Sequence, residues 1–201
     1  MFGADRLLYT KMEFRELEIS GVFEITLRDI TDERGFFIRT YDLAEFTKAG
    51  LHREWLQENH SRSIRKGIIR GLHFQYEPFE ETKLVRCIRG EVYDVVVDLR
   101  AGSSTFGKWT GLILSEENRK MIYVPRGFAH GFCTISEISE VVYKVDNVYS
   151  PDNEGGILWN DPFLSISWPL KGEPLISDKD RRNKTIREYR EKFRQDEHQV
   201  V

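Results

Sequence analysis

Between residues 21 and 145 the chain is cut into short apolar runs with the two-residue period of β-strands. The runs lie at 21–27, 35–41, 54–61, 67–74, 84–88, 92–99, 109–114, 121–124, 131–135 and 140–145, parted by glycine, turn-forming or charged residues. Many short strands with close turn signals predict an all-β fold, a sandwich or barrel of the jelly-roll kind. The runs 84–88 and 92–99 read as a hairpin across Arg89-Gly90-Glu91. In its second arm Tyr93, Val95, Val97 and Leu99 share one face, and Val92, Asp94, Val96 and Asp98 share the other. A carboxylate among valines is costly to bury alone, so Asp94 needs a partner. Two segments read as helix. Residues 43–49 end at Gly50, a suitable C′ glycine, and 178–198 is charged and free of Gly and Pro, which suits a surface helix or a frayed tail. No repeat, linker or low-complexity segment divides the chain, which predicts a single domain over 1–201.

An apolar fraction of 40% with 12% aromatic residues excludes a disordered chain. The net charge of −3 provides no field for nucleic acid, so any bound anion needs local arginines. The two cysteines, Cys87 and Cys133, sit in strand-like sequence and read as reduced core residues of a cytoplasmic protein. No secretory leader or membrane-length apolar run is expected from the sequence.

Chemistry concentrates in Arg70-Gly71-Leu72-His73-Phe74-Gln75 and Pro125-Arg126-Gly127-Phe128-Ala129-His130-Gly131-Phe132. A histidine between apolar neighbours on a strand points away from both, and in a cavity it can exchange a proton near neutral pH. The bland alternative is a core histidine satisfied by one hydrogen bond. Pro125-x-Gly127-x-x-His130 resembles the second half of the cupin metal signature, but His73 is followed by Phe74 and Gln75 where the first half needs a further His and a Glu. Two obvious histidines without a third ligand argue against a metal site. His52, His60 and His198 lie in polar stretches. Acid–base chemistry fits better. His73 could be a base, Lys83 could stabilise an enolate, and Tyr143, on the same parity as Tyr149 if the strand continues, could donate a proton. Arg34 and Arg70 could hold phosphate, although each alone suits a surface ion pair.

Taken in order, these segments resemble the thymidine-diphosphate-4-keto-6-deoxyglucose 3,5-epimerases of the rhamnose pathway. The resemblance runs from about residue 16 to 180, leaving 181–201 as a charged helical tail. It rests on Asp32-Glu33-Arg34-Gly35-Phe36-Phe37, Gln57-x-Asn59-x-Ser61-x-Ser63, the two histidine segments, Lys83-Leu84-Val85-Arg86, Asp94 to Arg100, Tyr143-Lys144, Tyr149-x-Pro151, Glu154-x-Gly156-x-x-Trp159-x-Asp161-Pro162 and Ser177-x-Lys179-Asp180. It implies a cupin-like double-stranded β-helix, a homodimer, no metal or organic cofactor, and a nucleotide-diphosphate sugar whose C4 carbonyl acidifies C3 and C5. By the same resemblance His73 is the base, Asp180 its orienting partner, Lys83 the enolate-stabilising cation and Tyr143 the acid on the opposite face. His130 and Asp94 form a second pocket pair. Arg34, Gln57, Asn59, Arg70, Glu154 and Lys179 hold the nucleotide sugar, with Phe37 and Tyr149 around sugar and base. The chain departs from the family pattern at Arg39, where Glu is usual, at Glu81, where Gln is usual, and by one extra residue between Asn59 and His73. An epimerase acting at one centre, or on another nucleotide, and a non-catalytic sugar-binding cupin are the alternatives.

Overall fold

The computed structural model describes residues 11–191. In chain order the strands are β1 (Glu13–Glu16), β2 (Phe23–Thr26), β3 (Asp29–Asp32), β4 (Gly35–Ile38), β5 (Gln57–Ser63), β6 (Ile69–Gln75), β7 (Lys83–Arg89), β8 (Glu91–Asp98), β9 (Trp109–Ser115), β10 (Lys120–Val124), β11 (Phe128–Thr134), β12 (Ser139–Val145) and β13 (Glu154–Gly156). Helix α1 (Leu43–Lys48) follows β4, and α2 (Asp178–Arg181) follows β13. One sheet has the order β1-β2-β10-β7-β12-β5, a second β13-β6-β11-β8-β9, and β3-β4 form a separate hairpin. From β5 to β8, and again from β9 to β12, successive strands alternate between the two large sheets. That alternation is the double-stranded β-helix form of the jelly roll.

Valines and isoleucines at alternate positions explain the two layers. Val85, Val96, Ile122 and Phe132, each at most 5% exposed, fill the space between the sheets. Val95 and Val97 point the other way, onto Ile157, Leu164, Ile186 and Tyr189. The second sheet is thus covered on both faces, and β8 reads as a nearly unbroken apolar run for that reason. Helix α1 is capped by Asp42, whose carboxylate accepts the N–H groups of Ala44 and Glu45. It buries Phe46 and ends before Gly50.

Two sequence expectations need correction. Strands β7 and β8 are not a hairpin: β7 lies between β10 and β12, and β8 between β11 and β9. The 89–91 turn carries the chain from one sheet to the other. Gly90 has φ +70°, and a Cβ there would stand 2.0 Å from the Ile138 carbonyl oxygen. A hairpin and a corner both need such a tight glycine turn, so local pattern cannot separate them.

The tail is not one continuous helix either. After α2 the chain unwinds and a new helical stretch occupies 186–191. A capping box starts it: the Glu188 carboxylate accepts the Thr185 N–H at 2.7 Å, and Thr185 Oγ1 accepts the Glu188 N–H at 3.3 Å. Ile186 and Tyr189, each 6% exposed, pin this stretch to the second sheet, so the region is no detached surface element. Residues 192–198 of the expected helix lie outside the described residues.

The turn after β8 is organised by one fully buried carboxylate. Asp98 accepts from the Arg100 N–H and guanidinium at 2.8–2.9 Å and from the Ser103 and Thr105 hydroxyls at 2.7 and 2.6 Å. Burial alone would raise its pKa, but these donors outweigh it and hold the carboxyl at about 2, below its ordinary 3.8. A folded-state pKa below the unfolded one stabilises the fold above the unfolded value. That contribution disappears as pH falls from about 4 to about 2. Asp98→Asn is expected to lower stability by about 2–4 kcal/mol at pH 7. Urea denaturation of both proteins at pH 7 and pH 3 checks this. The gap between them should narrow at pH 3, and an equal gap at both values would contradict the assignment.

Candidate active site

The space between the sheets is apolar through its middle and polar at one end, where a cavity of about 460 Å³ opens. The first sheet contributes Ser61, Lys83 and Tyr143, the second Arg70, His73 and His130, and α2 adds Lys179 and Asp180.

A bulge brings Arg70 and His73 to one cavity although they are three residues apart. On β11, His130 pairs with His73 and Phe132 with Arg70, so one residue of β11 faces two of β6. The extra residue switches the parity of β6 between the two side chains. Gly71 has φ +119°, and a Cβ there would lie 2.7 Å from the Gly131 Cα, so this crossing needs glycine. Leu72 and Phe74 turn outward into the apolar layer around Val95, which leaves His73 facing the cavity.

His73 Nε2 lies 2.7 Å from Asp180 Oδ1, and Asp180 Oδ2 accepts the Gly71 N–H at 3.2 Å. Helix α2 presents this carboxylate, and Ser177 caps the helix by accepting the Asp180 N–H. Burial alone would raise the Asp180 carboxyl, but the His73 ring and the Gly71 N–H hold it below its ordinary value. An ionised Asp180 only accepts, so a neutral His73 ring carries its proton on Nε2 and leaves Nδ1 its lone pair.

Tyr143 stands on β12 between the partners of β5 and β7. Burial, and next the charge of Glu81, keep its phenol above the ordinary tyrosine value. Lys83 Nζ lies 5.9 Å from the centre of the Tyr143 ring and 3.2 Å from Glu81 Oε1. The partner that Asp94 needs is His130, whose Nε2 is 3.0 and 2.9 Å from the two carboxylate oxygens.

A second cleft of about 930 Å³ shares Lys83 with the first and is also lined by Glu81 and Glu154. Glu154 accepts from Lys179 Nζ at 2.5 Å and from the Tyr149 hydroxyl at 2.8 Å. These bonds outweigh burial and hold its pKa down, and the bond to Glu154 raises that of Tyr149. Strand β12 ends at Val145, so Tyr149 lies on a following loop and the expected shared parity with Tyr143 does not apply. Gln57 Oε1 accepts the Tyr149 N–H at 3.1 Å, outside both cavity linings. Asn59 pairs across from Tyr143 and is exposed. Arg34, paired with Asp32, and Phe37, 58% exposed, stand on the β3-β4 hairpin and line neither cavity.

The sequence reading gave no role to Ser61, Ser177 or Gln75. Ser61 Oγ is buried without a hydrogen-bond partner at the cavity wall, and its place in the Gln57-x-Asn59-x-Ser61-x-Ser63 segment was the signal that could have flagged it. Ser177-x-x-Asp180 is a capping pattern and was a usable signal. Among the described residues, no group of three or more His, Cys, Asp or Glu side chains is arranged to hold a metal ion.

The family model described as dTDP-4-dehydrorhamnose 3,5-epimerase matches residues 16–188. A dTDP-4-dehydrorhamnose 3,5-epimerase of Shigella flexneri is 49% identical over 84% of this chain and 93% of its own. A dTDP-4-dehydrorhamnose 3-epimerase of Streptomyces niveus is 43% identical over 84% and 81%. A solved dTDP-6-deoxy-D-glucose-3,5-epimerase from Legionella pneumophila, in complex with dTDP-4-keto-L-rhamnose, superposes with a TM-score of 0.84. It is 40% identical, covering 88% of this chain and 93% of that one.

Proposed function

This chain belongs to the dTDP-4-dehydrorhamnose 3,5-epimerase family, and from that premise we propose how its residues divide the reaction. The activity is inversion of C3 and C5 in a nucleotide-diphosphate 4-keto-6-deoxyhexose, taking dTDP-4-dehydro-6-deoxy-D-glucose to dTDP-4-dehydro-L-rhamnose. One observation carries the division of roles. The His73–Asp180 pair, with 2.7 Å between Nε2 and Oδ1, shares a cavity with Lys83 and Tyr143, which come from the opposite sheet.

His73 Nδ1 takes a proton from the carbon beside the C4 ketone, and the C–H electron pair moves into the enolate. Asp180 fixes the ring tautomer and stabilises the imidazolium that forms. The Lys83 ammonium faces the negative charge that grows on the C4 oxygen. Tyr143 then gives its phenolic proton to the carbon from the other face, which inverts the centre. Its raised pKa keeps that proton in place through neutral pH. The tyrosinate and imidazolium return to their starting states through solvent, and the cycle repeats at the second carbon.

Arg70 and Lys179 at the cavity suit the diphosphate, and His130, oriented by Asp94, suits a sugar hydroxyl. Arg34 and Phe37 project on a hairpin that belongs to neither large sheet, with Phe36 61% and Phe37 58% exposed. In a homodimer that hairpin would reach a second copy, where its aromatic rings and guanidinium fit a nucleotide. The free, buried Cys87 and Cys133 suit a cytoplasmic enzyme. Incubation with dTDP-4-dehydro-6-deoxyglucose, followed by NMR of the product, checks the reaction. The L-rhamno configuration, inverted at both carbons, is expected. A product inverted only at C3 would contradict the two-centre assignment.

A further inference from the structure

Lysine has a long flexible stem, and an ammonium that must meet an enolate oxygen is useful only when held still. In this chain the holder is a carboxylate. Glu81 Oε1 lies 3.2 Å from Lys83 Nζ, and the two side chains are 11% and 10% exposed. Glu81 is itself fixed. The two N–H groups on Nε2 of Gln75, 4% exposed, are shared among three acceptors, the Phe79 carbonyl at 2.9 Å, the Val148 carbonyl at 3.1 Å and Glu81 Oε2 at 3.2 Å. The backbone between Glu81 and Lys83 is pinned as well, because the Thr82 N–H donates to Asp146 Oδ1 at 2.6 Å. Asp146 is in turn held by Arg53 and Arg126 at 3.6 and 3.3 Å.

We propose that Glu81 is the positioning residue for Lys83, anchoring one ammonium donor and leaving the others for the C4 oxygen of the substrate. The inference rests on the reading of Lys83 given above. An ammonium has three donors, so one bond to Glu81 leaves two for the enolate. The Glu81 charge also falls on Tyr143 of β12, whose ring centre lies 5.9 Å from Lys83 Nζ on the neighbouring β7. The other charged or titratable groups around this cavity are Arg70 and His73 of β6, His130 of β11 with Asp94 of β8 behind it, Glu154 of β13, Tyr149 of the preceding loop, and Lys179 and Asp180 of α2. Among them Glu81 is the carboxylate that pairs directly with Lys83.

The test compares Glu81→Ala, Glu81→Gln and Lys83→Met in the full chain, following kcat, KM and the pH profile of turnover. Glu81→Ala should lower kcat about tenfold or more, with KM within about threefold. Glu81→Gln keeps an oxygen acceptor for Lys83 and should restore kcat to within about threefold of the parent. Its alkaline limb should still move to lower pH, because the charge that helps Tyr143 keep its proton is gone. Parental kcat and an unmoved alkaline limb in both Glu81 variants, with Lys83→Met inactive, would overturn the positioning role alone. Equal kcat losses in the Ala and Gln variants would also overturn it. If Glu81→Ala does not fold, Glu81→Met, which keeps the side-chain length and removes the acceptor, takes its place, and the same kcat outcomes decide. Parental rates in Lys83→Met would instead overturn the reading of the site.

Discussion

His73→Asn is expected to cut epimerisation at least about a hundredfold, because a general base contributes on the order of 10²–10⁴ in rate. Asparagine is the informative replacement. Its amide, though shorter than the ring at Nε2, keeps a polar donor beside Asp180, whose side chain is 6% exposed in the pair and still accepts the Gly71 N–H. Alanine would leave that buried carboxylate without its ring partner and mix a stability loss into the rate loss. The Asn variant should therefore melt within a few degrees of the parent and bind the nucleotide sugar with similar affinity while turnover collapses. Turnover within about threefold of the parent would place the base elsewhere.

Tyr143→Phe should have an effect of similar size on net inversion but a different signature. Phenylalanine keeps the ring packed beside the Val141 side of the inter-sheet core and removes the one proton the side chain can give. Affinity should change little, since a single neutral hydrogen bond is worth about 1 kcal/mol. His73 and Lys83 can still form the enolate, which is then reprotonated from the face it left. Net epimerisation is expected to fall on the order of a hundredfold while exchange of the C3 and C5 hydrogens with solvent continues. Loss of exchange and inversion in equal measure would mean that Tyr143 also serves the first proton transfer.

How much of this was readable before folding depends on whether the signal was local. The central strands were, because the apolar run of β8 and the alternation of Val141, Tyr143 and Val145 in β12 report burial directly. Strands β1 and β13 were not, being four and three residues long with no alternating apolar face. The 89–91 corner looked like a hairpin because both need glycine, and sheet membership is decided by distant partners. The tail's break was present locally as Thr185-x-x-Glu188, but a charged stretch without Gly or Pro masked it. At the site, the His73–Asp180 pair joins residues 107 positions apart, so only the family resemblance could pair them. The same resemblance marked Arg34 and Phe37, which this chain's own cavity does not use. The roles of Gln75 and Glu81 became visible only when β6 and the start of β7 were brought together.

The most direct measurement follows deuterium. The parent, His73→Asn and Tyr143→Phe proteins are each incubated with dTDP-4-dehydro-6-deoxyglucose in deuterated water, and NMR then locates the label and the configuration at C3 and C5. The parent should place deuterium at both carbons with inversion, His73→Asn should place almost none, and Tyr143→Phe should place it with little inversion. Deuterium uptake by His73→Asn at the parental rate would contradict the account.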